Sequence, residues 1–254
     1  MKIESIRALY KQGGLGTVLY AVLAYLKIDW ILLPVALVKI KRYKPKGLFN
    51  FFDVIDFGYN MMGGMIRSLQ IRPEIVQFLT VIRALNPKVI IEIGTYNGGT
   101  LFLFSQTVSR NALIISIDYP DVRFGGGHGS WRNILYKNFA VGYQKIHIIN
   151  VDSHKAETLR KVEQMLNRSR ADFIFIDGDH SYEGVKQDFL MYSPLLKENG
   201  IIAFHDIVKH PKETGCEVNR FWNEVKSLPK YESSEIIHDK NQESCGIGIL
   251  KRKY

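Results

Sequence analysis

The chain has 254 residues, of which 46% are hydrophobic and 23% charged, and it contains two cysteines. A chain of this length and composition can bury a core of its own, which excludes a disordered protein and a disulfide-stapled mini-protein. The net charge of +9 is concentrated at one end, because residues 1–47 carry nine basic and two acidic side chains. A basic extension on a nearly neutral domain argues against a nucleic-acid enzyme, whose basic surface would surround its active site.

Helix-like and strand-like segments alternate after this extension. The apolar spacing within 73–85 predicts a helix that ends at Asn86-Pro87. Short apolar runs predict parallel strands at 89–93, 113–118, 146–151, 173–176 and 201–204, with helices at 101–108, 156–166 and 185–196. Two further runs, 231–237 and 246–250, have no helix between them and predict an antiparallel pair. We therefore expect an α/β fold: a doubly wound, mostly parallel Rossmann-like sheet with an antiparallel C-terminal strand.

Each predicted parallel strand ends in glycine or an acidic residue: Gly94, Asp118, Asp152, Asp177 and Asp206. A single aspartate at such a place is usually a helix cap or a turn residue. Here four aspartates end parallel strands, so all four would lie at the carboxyl edge of the sheet, which is where open α/β sheets bind ligands. The sequence therefore predicts a ligand site at this edge.

The loop after the first strand is rich in glycine and reads Glu92-Ile93-Gly94-Thr95-Tyr96-Asn97-Gly98-Gly99-Thr100. Glycines at such a place let the backbone approach a ligand closely. Its ExGxxxG pattern resembles motif I of the class I S-adenosylmethionine-dependent methyltransferases. The strings Asp177-Gly178-Asp179-His180 and Phe204-His205-Asp206 are similar to the group that includes macrolide-sugar O-methyltransferases and cephalosporin-hydroxylase-type proteins. The resemblance covers residues 60–254, a methyltransferase domain, and leaves 1–59 as an N-terminal helical extension.

This resemblance implies an enzyme that binds S-adenosylmethionine and methylates an oxygen atom of a small polar or sugar-containing acceptor. The resemblance also implies that Asp118 binds the ribose hydroxyls and that Asp152 and Ser153 bind the adenine. The implied cofactor-binding residues are Glu92, Gly94, Thr95, Tyr96, Gly98, Gly99, Thr100, Asp118, Asp152, Ser153 and Asp177.

The resemblance also implies a metal site. Two carboxylates at neighbouring strand ends repel each other unless a cation or a proton lies between them. In metal-dependent O-methyltransferases the positions of Asp177 and Asp206 supply oxygen ligands to Mg²⁺. Ile207 stands where the catechol-type pattern has an asparagine ligand. His205 can take its place, although nitrogen is a poor magnesium ligand, so the third ligand and the metal requirement stay open.

The candidate catalytic residues are Asp177 and His180. His180 lies three residues beyond Asp177, where the catechol-type enzymes carry a lysine base. An imidazole with the ordinary pKa of about 6.5 accepts a proton at neutral pH. The alternative is that His180 caps or orients the following helix. His128, in a glycine-rich loop at 124–131, is a second candidate base. This loop could fold over the substrate as a lid, and the alternative is that it is only a flexible connection between two elements.

Two other function classes compete with the methyltransferase. One is a binding protein that retains the S-adenosylmethionine fold without catalysis, against which the intact motif residues argue. The other is a related hydroxylase, which is disfavoured because no triad of two histidines and one carboxylate appears at a suitable spacing for iron.

The N-terminal extension holds two apolar segments, 15–26 and 30–38. Lys27 and Asp29 lie near the middle of the combined span and oppose a transmembrane helix, and no cleavage site of a secretory signal follows. Two interpretations remain. The helices cover the substrate pocket or form a contact within a homo-oligomer, or residues 15–46 lie on an anionic membrane surface. The enzyme would then be cytoplasmic, with peripheral contact at the inner face of the membrane in the second case.

Overall fold

The computed structural model describes residues 3–44, 51–119 and 130–253. The strands within these ranges are β1 (Val89–Ile93), β2 (Leu113–Ile117), β3 (Lys145–Ile149), β4 (Ala171–Ile176), β5 (Leu196–His205), β6 (Tyr231–Ile236) and β7 (Ile247–Arg252). They form one sheet in the order β3-β2-β1-β4-β5-β7-β6. Strands β1 to β5 run parallel, and β7 is antiparallel to both of its neighbours. The predicted doubly wound sheet with an antiparallel C-terminal strand is confirmed.

Helices lie on both faces of this sheet. The helices in the described residues are α1 (Ile3–Tyr25), α2 (Leu33–Arg42), α3 (Phe51–Asn60), α4 (Arg72–Leu85), α5 (Gly99–Thr107), α6 (Arg132–Lys137), α7 (Ala156–Leu166), α8 (Tyr182–Tyr192) and α9 (Val218–Val225). Successive strand side chains point to opposite faces, so Phe173 and Phe175 of β4 pack with α3, α4 and α5, whereas Ile174 and Ile176 pack with α7, α8 and α9. Burial on both faces explains why the parallel strands are continuous apolar runs.

The structure changes the boundaries of three predicted elements. The helix predicted at 185–196 begins earlier because Ser181 Oγ accepts the Gly184 amide at 3.1 Å as an N-cap, and a 3-10 turn at Ser193–Leu195 follows it. Leu196 is instead the first residue of β5. The strand predicted at 146–151 ends at Ile149, because its partner β2 ends at Ile117.

The N-terminal helices share the core of the sheet domain. Helix α1 is broken at Gly13 and Gly14, and its second half packs so closely that a Cβ atom added at Gly63 would lie 2.2 Å from the Gly16 carbonyl oxygen. Val54 and Ile55 of α3 belong to the same apolar cluster as the α5 side chains. The extension is therefore helical where it is described, and the domain boundary at residue 60 stays a prediction.

A buried arginine also joins the extension to the domain. The guanidinium of Arg132, on α6, donates hydrogen bonds to Tyr20 Oη at 2.5 Å, to Asp29 Oδ2 at 3.2 Å and to the Met65 carbonyl at 3.1 Å. The charge of Asp29 is therefore paired inside the protein. None of the described helices has the length and apolar character to cross a bilayer.

Candidate active site

A cavity of about 710 Å³ opens at the carboxyl edge of the sheet, within the range typical of small-molecule sites. Loops that follow β1, β2, β3, β4 and β5 line it. The predicted site residues on its wall are Gly94, Thr95, Tyr96, Gly99, Thr100, Asp118, Asp152, Ser153, Asp177, His180, His205 and Asp206. Glu92 and Gly98 do not line it. His128 lies outside the described residues.

The glycines of the loop after β1 are required by neighbouring protein groups. Gly94 has φ of 92°, and an added Cβ would lie 1.9 Å from the carbonyl oxygen of Asp177. At Gly98 the Cβ would lie 2.4 Å from the Tyr136 ring, and at Gly99 it would lie 2.4 Å from the Ser68 amide nitrogen. The loop therefore needs glycine for its own packing, in addition to any close approach of a ligand.

Asp118 holds this loop in place while it lines the cavity. Its Oδ1 accepts the backbone N–H groups of Thr95 at 2.9 Å and Tyr96 at 3.2 Å. Burial raises the pKa of Asp118 above its usual range, because its effect is larger than that of the two amide hydrogen bonds, which lower the pKa. The same carboxylate can thus order the loop and face a ligand.

Glu92 lies beneath the loop and is fully buried. Ser116 Oγ donates to Glu92 Oε2 at 2.5 Å and is also 2.5 Å from Thr95 Oγ1. Burial raises the pKa of Glu92 to about 8. The structure therefore places Glu92 as a support of Thr95 and away from the cavity wall.

The loop after β3 is anchored by a residue that sequence reasoning missed. Ser153 Oγ donates to Asp188 Oδ1 at 2.7 Å, and His154 Nε2 lies 3.2 Å from the same oxygen. The hydrogen bond to Asp188 raises the pKa of His154. Asp152 Oδ1 accepts the His154 amide at 2.9 Å, so Asp152 shapes the loop as it lines the cavity. Asp188 carried no sequence signal, because it lies inside a helix.

Carboxylates and imidazoles meet at the end of the cavity formed by the loops after β4 and β5. His205 Nδ1 lies 3.2 Å from Asp177 Oδ1 and 3.2 Å from Asp206 Oδ1. His180 uses both ring nitrogens, with Nε2 at 3.4 Å from Asp177 Oδ1 and Nδ1 at 3.2 Å from Asp206 Oδ2. His210 Nε2 lies 3.1 Å from Asp206 Oδ1. The sequence did not indicate His210.

These contacts change the protonation that the sequence suggested for His180. Burial lowers the pKa of His180, but the hydrogen bond to Asp177 and the charges of Asp177 and Asp206 outweigh it and raise the pKa to about 11. The ordinary pKa of about 6.5 does not hold for His180 while both flanking carboxylates are charged. The charge of His205 lowers the pKa of Asp177 although burial opposes it.

The donor set at this end fits magnesium poorly. Mg²⁺ prefers six oxygen ligands in near-ideal octahedral geometry, and imidazole suits transition metals. Here His180, His205 and His210 surround the two carboxylates, and the thiols of Cys216 and Cys245 belong to neighbouring groups of candidate ligand atoms. His205 and His210 each contact Asp206, but the groups of candidate ligand atoms in the described residues do not include His210.

Comparisons with known proteins agree with this geometry. Residues 91–207 match the family model described as a methyltransferase domain. An uncharacterized protein, y4gI of Sinorhizobium fredii, is 27% identical over 150 residues, which cover 58% of this chain and 16% of that protein. An uncharacterized protein of Acanthamoeba polyphaga mimivirus is 33% identical over 120 residues, 46% of this chain and 50% of that protein. The chain thus spans half or less of the length of these relatives.

Solved structures share the fold. An O-methyltransferase from Bacillus cereus in complex with S-adenosylhomocysteine superposes with a TM-score of 0.57 at 15% identity, covering 86% of this chain and 97% of that one. The O-methyltransferase TomG from Streptomyces achromogenes, in complex with S-adenosylmethionine, gives a TM-score of 0.52 at 13% identity over 84% and 92% of the two chains. Residues 91–207 are therefore similar to the family model of a methyltransferase domain, and the chain shares the Rossmann-like fold of these solved O-methyltransferases.

Proposed function

We propose that this protein transfers a methyl group from S-adenosylmethionine to an oxygen atom of a small polar acceptor. The observation that carries the proposal is the arrangement of the cavity wall. The glycine loop, Asp118 and Asp152 occupy successive strand ends, and the carboxylate–imidazole cluster of Asp177, His180 and Asp206 completes the same cavity. A cofactor and an acceptor can thus lie side by side in one cavity.

The residues of the loops after β1, β2 and β3 are suited to binding the cofactor. Asp118 presents a carboxylate to the cavity, where it can accept hydrogen bonds from two ribose hydroxyls. Asp152 and Ser153 lie one loop further along the sheet edge, where the adenine would be held. When bound, S-adenosylmethionine supplies a methyl group that its sulfonium makes electrophilic.

The acceptor needs alignment and the loss of one proton. Alignment of two reactants within one site accounts for several kcal/mol of a displacement barrier. We assign the proton to the cluster of Asp177, His180 and Asp206, which lines the cavity. Its carboxylate oxygens are the accepting atoms, because His180 already carries a proton while both carboxylates are charged. His180 is the most exposed member, with 43% of its side chain accessible, so it faces the acceptor side. Magnesium stays outside this proposal because the donor set fits it poorly.

The test combines binding and turnover on the full chain. Calorimetry should detect one S-adenosylhomocysteine per chain, and incubation with S-adenosylmethionine and a panel of sugars and phenols should yield methyl ethers. His180→Gln should lower turnover about 10² to 10⁴-fold and leave cofactor affinity intact. His147→Gln, on β3 and outside the cavity lining, is the matched control. Binding without turnover on any acceptor would favour the catalytically silent alternative, and absence of binding would overturn both.

We further propose that the N-terminal helices contact the inner, cytosolic face of an anionic membrane. The exposed apolar side chains of α1, α2 and their connection include Leu15, Leu19, Leu26, Ile28, Trp30, Ile31, Val35 and Val38. Exposed basic residues flank them: Lys27, Lys39, Lys41, Arg42 and Lys44. Lys46 lies outside the described residues. A soluble surface rarely exposes so many apolar side chains together, and each nearby basic residue adds about 1 kcal/mol on anionic lipid.

The same helices border the cavity. A Cβ atom added at Gly13, in the break of α1, would lie 3.3 Å from Arg67 Nη2, and Arg67 lines the cavity. A membrane contact through α1 would therefore bring the cavity close to an acceptor attached to lipid. A homo-oligomer through the same apolar face is the alternative partner.

A further inference from the structure

Glu74 is a buried acidic residue outside the cavity lining. It lies in the first turn of α4 and is 0% exposed. Burial of a carboxylate costs free energy unless hydrogen bonds compensate for it, so its partners indicate what it does. Its three hydrogen-bond donors in the described part of the chain belong to one segment, the connection between β6 and β7 at residues 237–246.

Both side-chain oxygens of Glu74 hold this connection. Oε1 accepts the His238 amide at 3.0 Å and Gln242 Nε2 at 2.7 Å, and Oε2 accepts the Gly246 amide at 3.0 Å. Gln242 also organises the connection internally, because its Nε2 donates to the Ser244 carbonyl at 2.8 Å. Glu74 therefore fixes a segment without helix or strand structure near both of its ends and in its middle.

The end of this connection forms a wall of the cavity. Cys245 precedes Gly246 and lines the cavity, as does His210 on the facing loop after β5. The Cys245 amide donates to His210 Nε2 at 3.2 Å, and the Cys245 carbonyl accepts the Val208 amide at 3.0 Å. The Cys245 thiol lies within 4.8 Å of a carboxylate oxygen of Asp206. The wall therefore borders the carboxylate end of the cavity.

The backbone of Cys245 is held in an unfavourable conformation at this wall. Its φ is 64°, in the left-handed region that few residues other than glycine adopt. Gly246 follows with φ of 80°, and a Cβ atom added there would lie 2.8 Å from Val208 Cγ2. Such conformations persist where the surrounding structure maintains them, and they cluster at ligand sites. The hydrogen bond from the Gly246 amide to Glu74 acts at this point of the chain.

We propose that Glu74 is a positioning residue of the acceptor site, which holds the β6–β7 connection so that Cys245 and His210 face the acceptor. The inference rests on the proposed function, because that function assigns the loops after β1, β2 and β3 to the cofactor and leaves the end beside Asp206 to the acceptor. Without Glu74 the connection takes several conformations, and acceptor binding must then also order it. Loss of Glu74 should thus weaken acceptor binding and spare the cofactor.

The experiment follows alkylation of Cys245 by iodoacetamide in the full chain, with mass spectrometry of peptides and Cys216 as the internal reference. Glu74→Gln turns an amide donor toward one of the three N–H groups. It should raise the alkylation rate of Cys245 about 10-fold or more, because the connection opens more often. Gln242→Ala removes one donor at a partly exposed position and should act in the same direction.

Asp172→Asn is the matched control for a buried acidic residue. Asp172 is 6% exposed and accepts the Lys88 and Val89 amides, both at 2.8 Å, at the amino ends of β1 and β4. The control should lower stability and leave the alkylation rate of Cys245 within about 3-fold, because the substitution is remote from the connection.

Two further measurements separate positioning from a general loss of stability. In Glu74→Gln the S-adenosylhomocysteine affinity, measured by calorimetry, should stay within about 3-fold. For the sugar or phenol of the panel that reacts fastest, KM should rise about 10-fold or more while kcat changes less than about 3-fold, the pattern of lost uniform binding. The same acceptor should protect Cys245 from alkylation in the wild type, and S-adenosylhomocysteine alone should not.

Equal alkylation rates of Cys245 in the wild type, Glu74→Gln and Gln242→Ala would overturn the proposal, as would an equal rise in Asp172→Asn. A loss confined to kcat, or a loss of S-adenosylhomocysteine affinity as large as the change in KM, would also overturn it. If Glu74→Gln does not fold, Gln242→Ala takes its place. Unchanged alkylation with intact S-adenosylhomocysteine binding would refute only the role of Glu74, whereas a wild type that binds no S-adenosylhomocysteine would refute the methyltransferase proposal itself.

Discussion

Gly94 and Asp177 approach each other through their backbones across two neighbouring strand ends. A Cβ atom added at Gly94 would lie 1.9 Å from the carbonyl oxygen of Asp177, and the φ of Gly94 is 92°. Strands β1 and β4 are parallel neighbours, with Ile93 paired to Ile176. The two loops therefore pass each other with no room for a side chain at Gly94, and the Asp177 amide donates to the Ile93 carbonyl at 2.8 Å beside this point.

Gly94→Ala should weaken both folding and cofactor binding, because the added methyl group displaces the backbone of the β4 loop. Gly215→Ala is the matched control: its φ is 68° and nothing lies within 4 Å of the added Cβ. We expect the control to cost about 1 kcal/mol of unfolding free energy and Gly94→Ala to cost clearly more. Urea unfolding and calorimetry with S-adenosylhomocysteine measure the two effects. Equal losses in both variants would show that the contact with Asp177 is unimportant.

Asp118 supports the glycine loop, and we propose that it also binds the ribose; two substitutions separate these roles. Asp118→Asn keeps an oxygen acceptor for the Thr95 and Tyr96 amides but loses the charge, whereas Asp118→Ala loses both. Charged hydrogen bonds contribute about 1.5 to 3 kcal/mol each, so we expect the asparagine variant to bind S-adenosylhomocysteine about 10 to 100-fold more weakly. The alanine variant should bind more weakly still and melt at a lower temperature. Unchanged affinity in both variants would remove the ribose assignment.

Glu92 should make the stability of the protein depend on pH. Its pKa rises from 4.5 to about 8 on burial, so the folded state keeps the proton between these values while the unfolded state releases it. The free energy of unfolding should therefore fall as the pH rises through this window, by at most about 1.4 kcal/mol per pH unit.

Glu92→Gln cannot titrate and keeps the shape of the protonated side chain. Relative to wild type, its free energy of unfolding should therefore increase from pH 5 to pH 8. Glu157→Gln, at an exposed position on α7, serves as the control. Urea unfolding of the three proteins at several pH values gives the comparison. A difference for Glu92→Gln that does not change with pH would mean that Glu92 is ionised in the folded state.

Arg132 should be essential for the attachment of the N-terminal helices. The side chain is 1% exposed and pairs with Asp29, so Arg132→Met leaves that carboxylate without its partner. We expect a loss of about 3 to 5 kcal/mol in unfolding free energy, part of which Asp29→Asn restores in the double variant. Arg220→Met removes the exposed pair with Glu217 and should change stability by at most about 1 kcal/mol. Similar losses at both arginines would contradict the structural role of the buried pair.

The membrane proposal predicts that the full chain floats with anionic vesicles at low salt and less at high salt. Leu19→Glu with Val35→Glu, both at exposed positions, should abolish flotation without unfolding the protein. Leu190→Glu on α8, at the opposite face of the sheet and 60% exposed, is the control and should float as wild type. If the wild type does not float but elutes as a dimer that the double variant converts to a monomer, the apolar face is an oligomer contact.

A large part of the fold could be predicted from the sequence because its signals are local. The apolar runs of β1 and β2 and the helical spacing of α4 and α7 depend on residues that adjoin each other, and the structure places these elements within a residue or two of the prediction. The glycine loop is likewise a continuous string, and the methyltransferase resemblance that it carries is confirmed by the family match over 91–207. Boundaries failed where a distant group sets them, as at Ile149, where the end of β2 terminates β3.

By itself, then, the sequence determined the order of strands and helices, the glycine loop and the acidic strand ends, because periodicity and short motifs are properties of contiguous residues. Only the tertiary structure decided which side chains meet. Gln70 reaches Asp177 across 107 residues of chain, and His205 meets Asp177 because β5 ends beside β4. Glu92 belongs to the motif in sequence yet is buried beneath it, since alternate residues of a strand point to opposite faces. The protonation of His180 follows from two carboxylates that only the sheet places on either side of it.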